Sequence, residues 1–286
     1  MESDTRQKFM FEHFPIKGSL VHMNSSWLDV RARATPPSNM KHMLAETLCA
    51  SVLLTSNLKF RGAVSLQIQS SGAIRLMLGQ CTDKLEVRGV IRTSSDITSP
   101  LLREAVLSIN LEPADGGAPY QGIVQFQENG LAASLEDYFK LSEQLDTRFW
   151  LASNEQFCCG LMLQRMPGQL ADNDAWNRII SLASTVSGDE LLGLSTSDLI
   201  RRLFHEEDIR LFKPAPVRFA CKCSQEGVSD MLKCLGESEA KDIIEEQGSV
   251  EVQCEYCGHS YRFDSVDVAV LFSGHTHSVA DTPGLQ

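Results

Sequence analysis

No run of apolar residues in this 286-residue chain approaches the roughly 18 that a membrane-crossing helix needs. The opening stretch, MESDTRQKFMFEHF, carries acidic side chains early and no apolar h-region, so no secretory signal is expected there. Aromatic residues are scarce at 7%, yet 43% of the chain is hydrophobic and recurs in periodic runs, which excludes a disordered protein. That content suffices for one sizeable core and a second, smaller one. Positive charge is also in short supply. The formal net charge is −11, and residues 221–286 set Lys222, Lys233, Lys241 and Arg262 against twelve acidic side chains, which places eight of the eleven excess charges there. This sign is wrong for a surface that tracks a phosphate backbone or an anionic bilayer, so neither nucleic acid nor membrane is an expected partner. Glu136, Asp137 and Glu143 cluster in EDYFKLSEQ without a partnering histidine or phosphate loop, and no nucleophile–base–acid set stands anywhere in the chain. The expectation is a cytoplasmic protein that is not an enzyme.

Cysteine, by contrast, is abundant: there are nine. In a reducing compartment such a number points to metal binding or redox chemistry rather than to disulfide staples. Four of them form two clips, Cys221-x-Cys223 and, after thirty residues, Cys254-x-x-Cys257-Gly. Four thiolates satisfy a tetrahedral zinc ion at Zn–S distances of about 2.3 Å, and the glycine lets the chain turn after the last ligand. The Cys-x-Cys half is unusually tight. Residues i and i+2 of an extended strand lie about 6.6 Å apart at Cα, whereas disulfides prefer about 5.5 Å. A Cys221–Cys223 bridge would therefore bend the backbone. The same four sulfurs hold either zinc or two local disulfides, and zinc keeps them anionic and open to peroxide or hypochlorite. Of the other candidates, Cys234 reads as a passive thiol on a helix, and His259 follows a tetrahedron already complete. Cys158 and Cys159 would point to opposite faces of a strand, Cys49 and Cys81 read as core, and His275-x-His277 as a solvated tail.

The organisation is that of an α+β protein with a large N-terminal sheet-plus-helix domain, a helical linker and a small C-terminal zinc-binding domain. Over residues 1–167, PPSNMKHMLAETLCASVLLTSNL reads as a helix with Leu44, Leu48 and Val52 on one side. GAVSLQIQ, AIRLML, KLEVRGVI, AVLSINL, YQGIVQFQ, TRFWLA and FCCGLMLQRM alternate as strands of what reads as one large sheet. LAASLEDYFKLSEQ is a further helix. Pro167-Gly168 marks a break. Residues 168–220 hold two short amphipathic helices, one around Trp176, Ile179, Ile180 and Ala183, the other opened by a capping pattern at Ser195 and Asp198. Residues 221–272 form the zinc domain, with a helical stretch, the strands SVEVQ and SYRF and a last helix, SVDVAVLF; residues 273–286 read as a polar tail.

The segments LKFRGAVSLQIQ, LEVRGVIR, YQGIVQF, LAASLEDYFKLSEQLDTR, LFHEEDIRLF, CKCS and CEYCGHSYRF together resemble the bacterial redox-regulated heat-shock chaperone of about thirty-three kilodaltons, over roughly residues 8–272. Gly227 departs from that pattern, where a basic residue is expected after CSQE. The resemblance implies an inactive reduced form with one zinc per chain on Cys221, Cys223, Cys254 and Cys257. It also implies activation by oxidation to Cys221–Cys223 and Cys254–Cys257 disulfides with zinc release. The oxidised protein would be a homodimer that holds unfolding clients without ATP. Two other readings are a zinc-ribbon interaction module, disfavoured by the acidic C-terminal part, and a thiol–disulfide oxidoreductase using CEYC, which lacks the βαβ context such motifs need.

Overall fold

The computed structural model of the chain describes residues 4–56, 61–94, 100–168 and 174–273. They form two compact units, Met1–Ala220 and Cys221–Gln286. The first unit opens with β1 (Thr5–Phe11), β2 (Ile16–Met23), α1 (Ser25–Ala34) and α2 (Lys41–Thr55), followed by β3 (Gly62–Gln69), β4 (Ile74–Thr82), β5 (Glu86–Thr93), β6 (Val106–Pro113) and β7 (Tyr120–Gln125). Next come α3 (Leu131–Tyr138), β8 (Thr147–Ser153) and β9 (Cys158–Arg165), then α4 (Ala175–Ala183), α5 (Gly188–Gly193) and α6 (Thr196–Phe204), and three short strands, β10 (Ile209–Leu211), β11 (Ala215–Pro216) and β12 (Arg218–Phe219).

Helix α2 organises this unit because it has almost no polar face: all but four of its fifteen residues are buried. Its hydroxyls fold back onto its own carbonyls, Thr47 on Met43, Ser51 on Leu48 and Thr55 on Ser51, each at 2.7 Å, so they enter the core satisfied. A helix apolar all round needs cover on every side. The strands supply it as two sheets, one in the order β10-β1-β2-β9-β8 with β11 also on β1, the other β12-β5-β4-β3-β6-β7. One cluster joins Leu44, Leu48 and Leu53 of α2 to Val21, Cys158 and Met162 of the first sheet and to Val64, Leu66 and Met77 of the second. The single large sheet expected from the strand pattern is therefore split in two, for the reason that α2 lies between the halves. Two glycines permit its approach: a Cβ at Gly79 would sit 2.9 Å from the Thr47 backbone, and one at Gly160 would sit 2.8 Å from Cys49 Sγ.

The other face of the first sheet is apolar as well. Phe9, Phe11, Ile16, Leu20, Cys159, Leu161 and Leu163 pack there against Ile179 and Ala183 of α4, Leu191 of α5, and Leu199, Ile200, Leu203 and Phe204 of α6. His22 Nε2 donates to the Leu192 carbonyl at 3.0 Å, tying α5 to β2. The N-cap expected at Ser195 is present, its hydroxyl accepting from the Asp198 amide at 3.2 Å. Cys158 and Cys159 enter different cores, as their alternation on a strand requires. The stretch expected to be only helical also contributes β10, β11 and β12 to the sheet edges, pieces too short to show alternation.

The second unit contains α7 (Gln225–Leu235), α8 (Glu237–Gln247), β13 (Val250–Gln253), β14 (Ser260–Phe263) and α9 (Ser265–Ser273). The single helical stretch read from sequence is broken at Gly236, whose φ of +104° favours glycine. Its fully buried apolar core is small: Leu232, Ala240, Val250, Phe263 and Val268. The tail expected over 273–286, His275 and His277 included, lies outside the described residues apart from Ser273.

Burial pushes the Glu46 carboxyl on α2 up to about 7. A carboxyl raised in the fold is most favourable when protonated, so stability is greatest below the unfolded value and falls as pH rises towards the folded one. Glu46→Gln should therefore stabilise the protein by about 1–3 kcal/mol at about pH 8 and change it little at about pH 4, as read from denaturant midpoints.

Candidate metal centre

β13 and β14 pair antiparallel from Val250↔Phe263 to Gln253↔Ser260, so Cys254 and Cys257 fall in the loop that joins them. That loop is a tight knuckle. The Gly258 amide donates to the Cys254 carbonyl at 2.8 Å, the Cys254 amide donates to the His259 carbonyl at 2.9 Å, and Gly258 takes a φ of +72°. Gln253 Nε2 closes it with a 3.1 Å bond to the Gly258 carbonyl. The other clip, Cys221-Lys222-Cys223, runs without regular structure into α7, where Ser224 Oγ caps the helix by accepting from the Gly227 amide at 3.1 Å.

The two clips converge. Cys221 Sγ lies 3.6 Å from Cys254 Sγ, Cys223 Sγ lies 3.3 Å from Cys257 Sγ, and all four sulfurs fall within 4.8 Å of one another. A tetrahedron of about 2.3 Å metal–sulfur bonds has sulfur–sulfur edges of about 3.8 Å, a spacing these separations bracket. The group therefore fits one metal ion, and an all-thiolate tetrahedral donor set suits a soft or borderline one. All four cysteines are half-buried. Burial pushes the Cys221 thiol up to about 12, although the Cys223 amide donates to it. Cys223 falls to about 7, chiefly through a hydrogen bond from Tyr261. Burial raises Cys257, partly offset by the His259 amide.

The remaining cysteines stand apart. Cys49 and Cys158 are held well above the ordinary thiol range, and Cys81 and Cys159 at about 12, in each case through burial. Such thiols are poor nucleophiles. Cys234 is exposed on α7 and outside the sulfur group. The His259 ring packs edge-on against Tyr261 at 4.6 Å between centroids, so its ring is engaged in packing. Glu136 accepts from the Phe149 amide and Arg148, and Glu143 from the Tyr138 hydroxyl, which makes both carboxylates structural partners. Sequence reasoning passed over Tyr261. Its one signal was its alternation with Phe263 on β14, which turns both towards the small core.

The profile of the Hsp33 protein family matches residues 4–264. The chain belongs to the Hsp33 family. It is 42% identical to the 33 kDa chaperonin of Methylobacillus flagellatus over 95% of both chains, and 40% identical to that of Nitrosococcus oceani over 94% of both. The crystal structure of the 33 kDa chaperonin from Thermotoga maritima superposes with a TM-score of 0.81 at 21% identity, covering 94% of this chain and 97% of that one, and shows the same fold. This Hsp33 family chaperone thus carries a four-cysteine group positioned to hold a metal ion. Among the described residues no helix is long and apolar enough to cross a membrane.

Cys254→Ser or Cys257→Ser should abolish tight metal binding, because three sulfurs leave a labile open position. Cys158→Ser, Cys159→Ser and Cys234→Ser should leave it intact. Metal content after dialysis against a weak chelator measures both; an emptied site in Cys234→Ser would overturn the ligand assignment.

Proposed function

We propose that the protein is a redox-regulated, ATP-independent holdase whose switch is the four-cysteine centre. The observation that carries this is the convergence of Cys221, Cys223, Cys254 and Cys257 in a unit with only a small apolar core. In the reduced form these residues hold one zinc ion, which supplies a fourfold crosslink between clip and hairpin. Structural zinc contributes on the order of 10–16 kcal/mol in small modules. Residues 221–272 are the switch, 168–220 the linker, and 1–167 the domain that holds clients and pairs in the oxidised homodimer, all in the cytoplasm.

Oxidation by peroxide balances simply. Four thiolates give up four electrons to two peroxide molecules; two S–S bonds form, two O–O bonds break, four hydroxide ions leave, and the sulfurs, no longer anionic, release the metal. The pairing is the one the family resemblance implies, Cys221–Cys223 and Cys254–Cys257, although the short sulfur contacts of the closed centre run between the clips. The cross-clip contacts last only while the hairpin is held against the clip. Without the crosslink the C-terminal unit has too little core to persist.

The linker follows. Helices α4, α5 and α6 have nine, six and nine residues, lengths that are marginal without docking. Their release would bare Phe9, Phe11, Leu20, Leu161 and Leu163, an apolar patch suited to the exposed segments of unfolding proteins. The competing oxidoreductase reading is disfavoured by the position of Cys254 and Cys257 in a hairpin loop rather than at a helix N-terminus.

Reduced protein should carry one zinc per chain and lose it together with four thiols on peroxide treatment. Zinc retained in a fully oxidised protein that suppresses aggregation would refute the switch. Amide hydrogen exchange tests the linker: in the oxidised form that holds clients, exchange should become fast over 168–220 as well as 221–270. Persisting protection of 168–220 in that form would show that the linker takes no part.

A further inference from the structure

Among the described residues, Cys159 is the one cysteine in the apolar cluster beneath α4, α5 and α6. Its chain neighbour Cys158, with Cys49 and Cys81, belongs to the cluster around α2, which both sheets enclose. Strand register sets Cys159 of β9 directly opposite His22 of β2, on one face of the sheet. Side chains so placed have Cβ atoms about 4.5–5.5 Å apart. His22 is only 8% exposed. Its Nε2 donates to the Leu192 carbonyl of α5, which fixes the tautomer whose Nδ1 is a bare acceptor, and that buried atom has no hydrogen-bond partner. On its other side Cys159 faces Ala152 of β8, and a Cβ on Gly188 of α5 would lie 3.9 Å from the Ala152 Cβ. A thiol and an unpaired imidazole nitrogen thus share one row of the sheet, roofed by a six-residue helix.

We propose that Cys159, with His22 beside it, is a thiol modification site masked by α5 and open to low-molecular-weight disulfides only when the helical linker is released. The proposal rests on the release of that linker argued above. While α5 is docked, burial holds the thiol at about 12, protonated and out of reach of any reagent. Departure of α5 takes the Leu192 carbonyl away and lets water reach the row. His22 then accepts the thiol proton at Nδ1, the pairing that activates cysteine nucleophiles. The thiolate attacks one sulfur of the disulfide RSSR. The Cys159 S–S bond forms, the RS–SR bond breaks, and the departing RS⁻ takes up the proton as RSH. Cys158 gains nothing from release, because it stays enclosed with α2. A capped Cys159 no longer fits beneath α5, so the adduct keeps the apolar face uncovered.

The test uses full-length Cys234→Ser protein, which lacks the exposed thiol, in the reduced metal-bound form and after two equivalents of peroxide. Both are treated with glutathione disulfide, adducts are located by peptide mass mapping, and amide exchange over 168–220 is read on the same samples. The expected result is one glutathione per oxidised chain, absent in Cys159→Ser and kept in Cys158→Ser, formed about 100-fold faster than in the reduced chain. In the oxidised form His22→Gln should slow the reaction about tenfold near pH 7, where an unassisted thiol is only a few per cent ionised. Capping the opened Cys159 with iodoacetamide, then reducing the chain and restoring zinc, should leave 168–220 in fast exchange. Fast exchange over 168–220 without an adduct on Cys159, an equal rate in the reduced chain, or regained protection after capping overturns the proposal. Protection of 168–220 in the oxidised chain instead overturns the linker reading, and the masked site with it.

Discussion

The first sheet is apolar on both faces, and the architecture follows from that constraint. Seven of the eight residues of β9 are buried, as are seven of the eight of β2, so neither strand has a side that water can cover. A sheet of this kind must be covered twice. One cover is α2, fifteen residues long and itself enclosed by the second sheet. The other is the set α4, α5 and α6, which packs on the first sheet. The two covers differ in how they can be lost. Removing α2 means dismantling both sheets; removing α4–α6 means unmaking one interface.

On the proposed holdase reading, that difference would supply a surface for unfolding proteins that stays covered until needed. A site for unfolding proteins has to be broad, apolar and tolerant of sequence, and it must be covered when unneeded because such patches drive association. The face formed by Phe9, Phe11, Ile16, Leu20, Leu161 and Leu163 meets the first demand. The short helices over it meet the second, since helices of six to nine residues hold their shape only while docked. The acidity of residues 221–286 fits the same logic, since a chain segment rich in like charge stays solvated when it loses its fold.

Much of this was legible in the sequence. Alternation located β3 to β9, periodicity located α2, α4 and α6, and the cysteine spacing marked the four residues that the fold gathers into one sulfur group. What was missed has identifiable physical causes. The division into two sheets depends on α2 being apolar all round, a property visible in LCASVLLT but not one that says which strands lie on which side. β10, β11 and β12 have three, two and two residues, too few for any period to register. Gly236 interrupts a helical pattern that its neighbours continue, and only its positive φ reveals the break.

How a change at the sulfurs could reach the helical cover is a question of slack in the chain, and there is almost none. β12 ends at Phe219, the Ala220 amide donates to the Val87 carbonyl at 3.1 Å, and the next residue is Cys221. The first metal-ligand candidate is thus bonded directly to the last residue anchored in the large unit. Its polar holds are slight: a two-residue parallel strand, an ion pair at 2.6 Å between exposed Arg218 and mostly covered Glu86, and Arg33 stacked 4.3 Å over the Phe219 ring; Val217 beside them is buried in the core. Exposed ion pairs contribute about 0–1 kcal/mol and an exposed cation–π contact about 0.5–1 kcal/mol. Upstream, β10 and β11 hold β1 by three and two residue pairs, and α6 lies just before them. The polar holds from 220 back to 209 are each weak alone, and each is the neighbour of the next, whereas α6 before them is docked by buried Leu199, Ile200, Leu203 and Phe204. A segment built this way is only as secure as its successive contacts, and the Ala220 amide is the last of them before Cys221.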